Sequence, residues 1–185
     1  IPEYSANNVI HIEDQVCDDN NYRKIICKRE YTSWAKVFYY IIKEPLMYDY
    51  YWIIEDDVYL NSNKISEILQ NCDNVDDDLL YAGWYKDYSK GDNWVHWKWN
   101  MQHYEKENLK GSLNPIVRLS YKMITLIEYG RNMRQRFVWL EVMFASIVSK
   151  YNLKKQSIKN EEIDVVALYK NSVLNKKAKS VVMKE

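Results

Sequence analysis

The hydrophobic residues of this chain recur at two different spacings, one typical of helices and one of strands. Spacings of three and four from Tyr31 onward predict a helix over residues 31–43, which Pro45 ends. A similar but shorter pattern after the N-cap candidates Asn61 and Ser62 predicts a second helix. Its inward positions are expected to be Ile65, Ile68 and Leu69.

Short apolar runs between the helical patterns predict strands. The run 50–56 is β-branched and aromatic, which is typical of a strand buried on both faces. Further strands are predicted at 9–12, 79–84 and 116–119. The alternation of strands and helices favours an α/β fold with a mixed, mostly parallel sheet flanked by helices. One domain is expected to cover residues 1–185.

The second half of the chain alternates between irregular and helical patterns. Residues 85–114 are rich in tryptophan and have no clean period, which predicts a long excursion or an antiparallel insert near a site. Helices are predicted at about 120–129, ended by Gly130, and at about 135–150. Beyond Tyr151 the chain is rich in lysine and asparagine, and its end is expected to be a solvated tail or a peripheral helix.

Three consecutive carboxylates, Glu55, Asp56 and Asp57, stand at the carboxyl end of the predicted strand 50–56. Because alternate residues of a strand share a face, Glu55 and Asp57 are expected to point together and Asp56 away. Acids in this position resist desolvation unless a cation lies among them. The pattern therefore predicts a Mg²⁺ or Mn²⁺ site that also takes phosphate oxygens. The alternative is an acidic turn that pairs with lysines.

The apolar strand, the Glu-Asp-Asp run and the following Val-Tyr-Leu resemble the metal motif of GT-A fold glycosyltransferases, often written Asp-any-Asp. The resemblance covers roughly residues 9–150 and implies a Rossmann-related sheet. It implies that Asp57 binds the metal, that Glu55 assists it, and that Asp56 lies near the ribose or sugar of the donor. Together with the composition, it extends to virus-encoded glycosyltransferases that build capsid glycans.

Such an enzyme is a hexosyl- or deoxyhexosyltransferase that moves a sugar from a nucleoside diphosphate, expected to be uridine diphosphate (UDP), to a glycan or glycoprotein. Glu13 and Asp14 follow the predicted strand 9–12, where similar enzymes hold an acid against the nucleoside; a turn acid is the alternative. The resemblance also makes His96 a candidate third metal ligand. Lys36 is a candidate contact for the pyrophosphate, with a solvated lysine as the alternative.

Glu141 lies among hydrophobic residues of the helix predicted at about 135–150. Phe137 and Phe144 flank it at helical spacing. A carboxylate in such surroundings needs a hydrogen-bonding or charged partner, or its pKa is raised. Either condition suits a general base. The stretch from Trp139 to Phe144 also resembles the late helix that supplies the acceptor-site acid in inverting members of the family. If the reaction is retaining, Glu141 only positions the sugar. The alternative to either role is a structural carboxylate bonded to Arg131, Arg134 or a tyrosine hydroxyl.

The tryptophans of the irregular segment are expected to form a sugar platform and an acceptor-side wall or lid, with Gly91 and Gly111 as hinges. These tryptophans are Trp94, Trp97 and Trp99, and Trp84 at the end of the preceding predicted strand is expected to join them. Two other function classes remain open. A nucleotidyltransferase also needs clustered acids, but it usually has a glycine-rich phosphate loop, and this chain has 4 glycines. A non-catalytic carbohydrate-binding domain would use the tryptophans and would not need the acids.

The composition limits the classes of partner and the cellular compartment that are expected for this chain. A formal net charge of zero argues against a nucleic-acid binder. The 3 cysteines have neither disulfide-framework nor zinc spacing, which predicts a reducing, cytoplasmic compartment, or the host cytoplasm for a viral enzyme. No stretch approaches the roughly 20 apolar residues of a membrane span.

Overall fold

The computed structural model describes most of the chain between Ile10 and Ile158. The described residues are 10–22, 31–43, 48–55, 58, 62–91, 93–134 and 137–158. The helices within these ranges are α1 (Asp14–Asp19), α2 (Tyr31–Lys43), α3 (Ser62–Cys72), α4 (Trp97–Asn100), α5 (Tyr121–Arg134) and α6 (Leu140–Lys150). The strands are β1 (Tyr50–Ile54), β2 (Leu79–Ala82), β3 (Tyr85–Asp87), β4 (Lys110–Ser112), β5 (Ile116–Ser120) and β6 (Lys155–Ile158).

Four of the strands form one mixed sheet in the order β1, β5, β2, β6. The central strand β5 runs antiparallel to both neighbours, whereas β2 and β6 are parallel. As a result β1, β2 and β6 run in the same direction and end at the same edge of the sheet. The predicted α/β class with a mixed, helix-flanked sheet is confirmed. Parallel pairing is limited to β2 and β6 among the described strands, because β5 lies between β1 and β2.

Both faces of the sheet are covered by hydrophobic residues. Leu79 and Tyr81 of β2 belong to the larger core, which α2, α5 and α6 build on one face. Leu80 and Ala82 point the other way, into a smaller core with α3. All four residues of β2 are buried, as expected for an interior strand with a core on each side.

The tryptophan-rich segment forms the predicted antiparallel insert. Strands β3 and β4 pair antiparallel, with Tyr85 opposite Ser112, and the chain between them contains α4. Helix α6 is tied to this ribbon through Ser146, whose Oγ accepts from the N–H of Lys110 (3.0 Å) and donates to the carbonyl of Lys110 (3.1 Å). The insert is therefore anchored on the helix that carries Glu141.

The start of the chain differs from its prediction. Residues 10–13 have no regular structure and Ile10 is 54% exposed, so the strand expected at 9–12 is wrong for the residues that are described. Asp14 instead begins α1, a helix that the sequence did not predict. The four-residue run at 9–12 was too short to identify a strand, and Asp14 suits the first turn of a helix because of the helix dipole.

Two helix boundaries also differ. Helix α2 is confirmed, but α5 continues through Gly130 to Arg134, because the missing Cβ leaves room for the Arg134 guanidinium. Glycine is therefore used here for a close approach and not for a helix end. Helix α6 begins at Leu140 and not near residue 135, with Phe137 buried ahead of it. Residues 135–136 lie outside the described ranges.

Burial of β1 and α3 was overestimated. Ile53 is the one fully buried residue of β1, and Ile54 is 44% exposed, so the expectation of a strand buried on both faces is wrong. The reason is that β1 pairs with a single described strand, β5. In α3, Ile68 is buried as predicted, but Leu69 is 40% exposed because the buried face continues through Cys72. The capping residue Asn61 lies outside the described ranges.

Strand β6 was not predicted. Its four residues contain one apolar side chain, Ile158, so no alternation marks them as a strand. The strand is formed by parallel backbone pairing with β2, which side-chain patterns do not reveal. Residues 159–185, which include the predicted tail, lie outside the described ranges. None of the helices in the described part of the chain combines the length and hydrophobicity that crossing a bilayer requires.

Candidate functional site

The carboxyl ends of β1 and β2 lie on either side of the start of β5. The backbone N–H of Glu55 donates to the carbonyl of Pro115 (2.9 Å), and that of Leu113 donates to the carbonyl of Trp84 (3.0 Å). Because neighbouring strands lie about 4.8 Å apart, the chains leaving β1 and β2 are about 10 Å from each other. The first predicted acid and the start of the tryptophan-rich insert thus share the sheet edge where α/β proteins bind ligands.

The carboxylate of Glu55 is held by a tryptophan. Glu55 is half-buried, and its Oε1 accepts a hydrogen bond from Nε1 of Trp34 at 3.0 Å. Trp34 is 7% exposed, and its ring packs against Phe38 (6.0 Å between ring centroids) and Phe144 (5.7 Å). The indole is therefore fixed by the aromatic core, and it fixes one oxygen of Glu55 in turn.

The donor chemistry at this edge fits a hard cation. Glu55 offers carboxylate oxygens, the type of ligand that Mg²⁺ and Mn²⁺ prefer. Asp56 and Asp57 follow it directly but lie outside the described residues, so their predicted division of roles stays a prediction. Within the described ranges, no three His, Cys, Asp or Glu side chains come together in a metal-binding group.

The acids predicted to contact the nucleoside lie beside α2. Asp14 Oδ1 is 2.7 Å from Nζ of Lys36, so two of the predicted donor-binding residues form an ion pair. Glu13 is exposed, and its Oε1 is 2.7 Å from Nε2 of His11. The structure thus brings Asp14 and Lys36 together, at a helix start and not at the end of a strand as the sequence suggested. Their roles in donor binding stay predictions.

Three aromatic side chains of the insert, one that directly precedes the insert and one that precedes α6 form a continuous group of rings, here called the aromatic layer. Its members are Trp84, Trp94, His96, Trp97 and Trp139. Trp94 is the hub, with centroids 5.0 Å from Trp84, 4.9 Å from Trp97 and 4.9 Å from His96, all edge to face. Trp97 is buried, whereas the other four rings are half-buried, so a sugar-facing surface would have to come from these four.

Gly111 lies under the aromatic layer and is not placed as a hinge would be. It is buried within β4, and a Cβ there would lie 2.8 Å from Trp94 and 3.1 Å from Trp97. Glycine at this position lets the rings approach the backbone. Gly91 has φ +77° with open space around it, which suits a tight turn at the exposed end of the ribbon.

Glu141 is held in the same manner as Glu55. It is half-buried in the first turn of α6, and its Oε2 accepts from Nε1 of Trp139 at 3.0 Å. The ring of His96 stacks on Trp139 with centroids 3.9 Å apart and planes 20° from parallel. His96, predicted as a metal ligand, therefore lies on the insert next to the partner of Glu141. Whether it also reaches a metal stays a prediction.

Asn100 and Trp34 are residues of this site that the sequence did not single out. Asn100 is fully buried; its Oδ1 accepts from the backbone N–H of Trp139 (3.1 Å) and its Nδ2 donates to the carbonyl of His96 (2.9 Å). No sequence pattern marks this bridge. For Trp34 a signal existed, because a buried indole usually needs an acceptor for its N–H.

Taken together, the site has two half-buried carboxylates, each fixed by a neutral indole donor. A carboxylate fixed in this way can bind a cation or accept a proton. Glu55 lies at the sheet edge, whereas Glu141 lies beside the aromatic layer. No protein-family model, no curated protein and no solved structure showed a match to this chain.

Proposed function

We propose that this protein is a divalent-metal-dependent glycosyltransferase that uses a nucleoside diphosphate sugar, UDP-linked, and a glycan or glycoprotein acceptor. The observation that carries the proposal is the position of Glu55. It begins the Glu-Asp-Asp run at the carboxyl end of β1. The insert that is anchored on α6, the helix of Glu141, starts at the same edge of the sheet. The resemblance to the metal motif of GT-A glycosyltransferases supports the same assignment.

The donor would be held at the sheet edge. Asp57 would bind Mn²⁺ or Mg²⁺, with Glu55 assisting and Asp56 near the ribose or sugar; His96 is the candidate third ligand. Such a metal, when bound, neutralises the diphosphate as its bond to the sugar breaks. Glu13, Asp14 and Lys36 are the proposed contacts of the nucleoside and pyrophosphate.

The acceptor would be held at the aromatic layer, where ring faces suit the C–H face of a pyranose. In an inverting reaction, Glu141 takes the proton of the acceptor hydroxyl while that oxygen attacks the anomeric carbon and the nucleoside diphosphate leaves. Its hydrogen bond from Trp139 fixes one carboxylate oxygen and thereby orients the group. In a retaining reaction, Glu141 positions the sugar instead. The anomeric configuration of the product distinguishes the two.

Thermal shift with UDP, with and without Mn²⁺, tests the proposal against its alternatives. A glycosyltransferase is stabilised by UDP only when Mn²⁺ is present, because the metal links the diphosphate to the carboxylates. A nucleotidyltransferase would instead respond to nucleoside triphosphates with metal. Stabilisation by oligosaccharides alone, with no response to UDP and Mn²⁺, would point to a carbohydrate-binding module and contradict the proposal.

We place the enzyme in a reducing compartment, the cytoplasm or the host cytoplasm if the chain is viral. The support comes from the cysteines. Cys17 is a buried free thiol and burial raises its pKa, which keeps it in the unreactive thiol form. Alkylation of the native protein without reductant tests this: unreactive Cys17 and no disulfide are expected, and a disulfide-linked native form would contradict it.

A further inference from the structure

We propose that Trp34 is a positioning residue for the donor site, and that it links the metal-binding carboxylates to the helix that carries Glu141. This inference rests on the proposed function, because it gives a role to Glu55 in binding metal and donor. It concerns Trp34 on α2, a side chain that the sequence did not single out.

Trp34 makes two different kinds of contact, a hydrogen bond through its N–H and a packing contact through its ring. Its indole N–H reaches Oε1 of Glu55 at 3.0 Å, and its ring lies 5.7 Å from that of Phe144. Phe144 lies three residues after Glu141 on α6. A single buried indole therefore contacts the residue that begins the acidic run and the helix of the candidate base.

The hydrogen bond to Glu55 requires a tryptophan at position 34, whereas the ring packing alone does not. Phe38, stacked on Trp34 in the same core, shows that this region accepts phenyl rings. A phenylalanine at position 34 would retain most of the ring contacts but would offer Glu55 no donor. Without the N–H, a half-buried carboxylate loses a charge-assisted hydrogen bond and gains freedom about its side-chain bonds.

Holding Oε1 in place directs the other oxygen of Glu55. Metal and ribose binding depend on carboxylates fixed before the ligand arrives, because outer hydrogen bonds orient ligating groups and typically change metal affinity 10- to 100-fold. Trp34 is thus expected to contribute to donor affinity without touching the donor. Trp139 provides Glu141 with the same chemistry, so the loss of either indole should affect one carboxylate and spare the other.

The test compares Trp34→Phe with Trp52→Phe. Trp52 lies on β1, close to Glu55 in sequence, but it packs against the opposite core and no other described residue hydrogen-bonds to its indole. We expect W34F to weaken Mn²⁺-dependent UDP binding about tenfold, the effect of losing one hydrogen bond to a charged group, and to raise KM for the donor more than it lowers kcat. W52F should leave both unchanged.

A double variant separates positioning from loss of packing. If Trp34 acts through Glu55, the combination of Trp34→Phe with Glu55→Gln should bind Mn²⁺ and UDP no more weakly than Glu55→Gln alone. Additive losses would show that Trp34 acts independently of the carboxylate and would overturn the proposal. So would wild-type affinity in W34F.

Indole N–H resonances give a readout on wild-type protein, which serves even if W34F does not fold. With 7 tryptophans the spectrum has 7 side-chain signals. We expect the Trp34 signal to be broadened first by substoichiometric Mn²⁺ and to shift with Mg²⁺. An unaffected Trp34 signal, while Mn²⁺ and UDP bind, would overturn the positioning role alone. Absence of any Mn²⁺-dependent UDP binding would reject the proposed function and this inference with it.

Discussion

Glu55 and Glu141 are far apart in sequence and are fixed by the same kind of donor. Each accepts one hydrogen bond at 3.0 Å from the indole of a tryptophan. A lysine or arginine in place of the indole would neutralise the carboxylate and compete with a metal or a proton. The indole fixes one carboxylate oxygen and adds no positive charge of its own.

Substitution of Glu141 by glutamine tests the candidate base. Glutamine retains an oxygen that can accept from Trp139, so α6 and the aromatic layer should stay folded, but it cannot take a proton. We expect kcat to fall about 10²- to 10⁴-fold, the usual contribution of general base catalysis, while Mn²⁺-dependent UDP binding is retained. The measurement is sugar transfer alongside UDP affinity.

The matched control is Glu107→Gln, an exposed acid in the same insert. It should transfer sugar at the wild-type rate. If E141Q transferred sugar as fast as this control, Glu141 would be a structural carboxylate and the candidate base would have to be found elsewhere.

Gly111 is the residue on which the aromatic layer depends most directly. In Gly111→Ala the new methyl group would lie 2.8 Å from Trp94 and 3.1 Å from Trp97, so these rings would have to shift, and overpacking of this kind costs about 1–3 kcal/mol. We expect a lower Tm and a changed near-UV circular dichroism spectrum, because that spectrum reports on the tryptophan packing.

Gly91→Ala provides the comparison. An alanine there meets no atoms, so its cost of about 1–2 kcal/mol comes from the left-handed backbone alone. It should lower Tm while the near-UV spectrum is retained. Identical spectra for G111A and the wild type would show that the rings do not need the glycine.

Among the elements, the ribbon of β3 and β4 has an ionic clamp. Lys110 Nζ lies 2.8 Å from Asp87 Oδ2, and the hydrogen bond from Lys110 lowers the pKa of Asp87 to about 2. Because the folded pKa is depressed, the clamp contributes fully above the ordinary aspartate value of about 3.9, and its contribution is lost as the pH falls towards 2.

Acid titration of Asp87→Asn against the wild type tests this clamp. The wild-type aromatic signal in near-UV circular dichroism should weaken between about pH 4 and pH 2 as Asp87 protonates. D87N, which has no charge to lose, should have the weaker signal already at neutral pH and a smaller change in that window. Superimposable titrations would contradict a role for the clamp in holding the insert.

The sequence predicted the elements that have a strong period or a long apolar run. Helix α2 and strand β2 are where the pattern placed them, because each has one clear buried face or is buried on both. The pattern failed for β6, whose pairing with β2 is a backbone property and depends on a strand distant in sequence. It also failed at Gly130, where the helix continues and the Arg134 side chain, one turn later on the same helix, lies against the glycine.

For the candidate site, residue types were predictable and contacts were not. Glu55 and Glu141 were recognised from their position in apolar surroundings, but no pattern could show that indoles from residues 34 and 139 bind them. The same holds for Asn100, whose buried amide joins the insert to the start of α6. Hydrogen bonds of this kind are decided by three-dimensional packing.

On the scale of the whole molecule, one sheet edge and one insert bring the candidate chemistry together. The antiparallel strand β5 places the chains that follow β1 and β2 about 10 Å apart, with the acidic run on one and the aromatic insert on the other. Hydrogen bonds of Ser146 to Lys110 and of Asn100 to Trp139 hold the insert on α6, so the insert and this helix belong to one packed unit.

Calorimetric titration of UDP, with and without Mn²⁺, into wild-type protein and into Asp57→Ala and Asp77→Ala tests the central claim most directly. Asp77 belongs to the other acidic run of the chain, a turn before β2, and serves as the matched control. We predict that the wild type and D77A bind UDP only with Mn²⁺, and that D57A loses this binding while its thermal unfolding is unchanged. Metal-independent UDP binding, or full metal-dependent binding by D57A, would contradict the account.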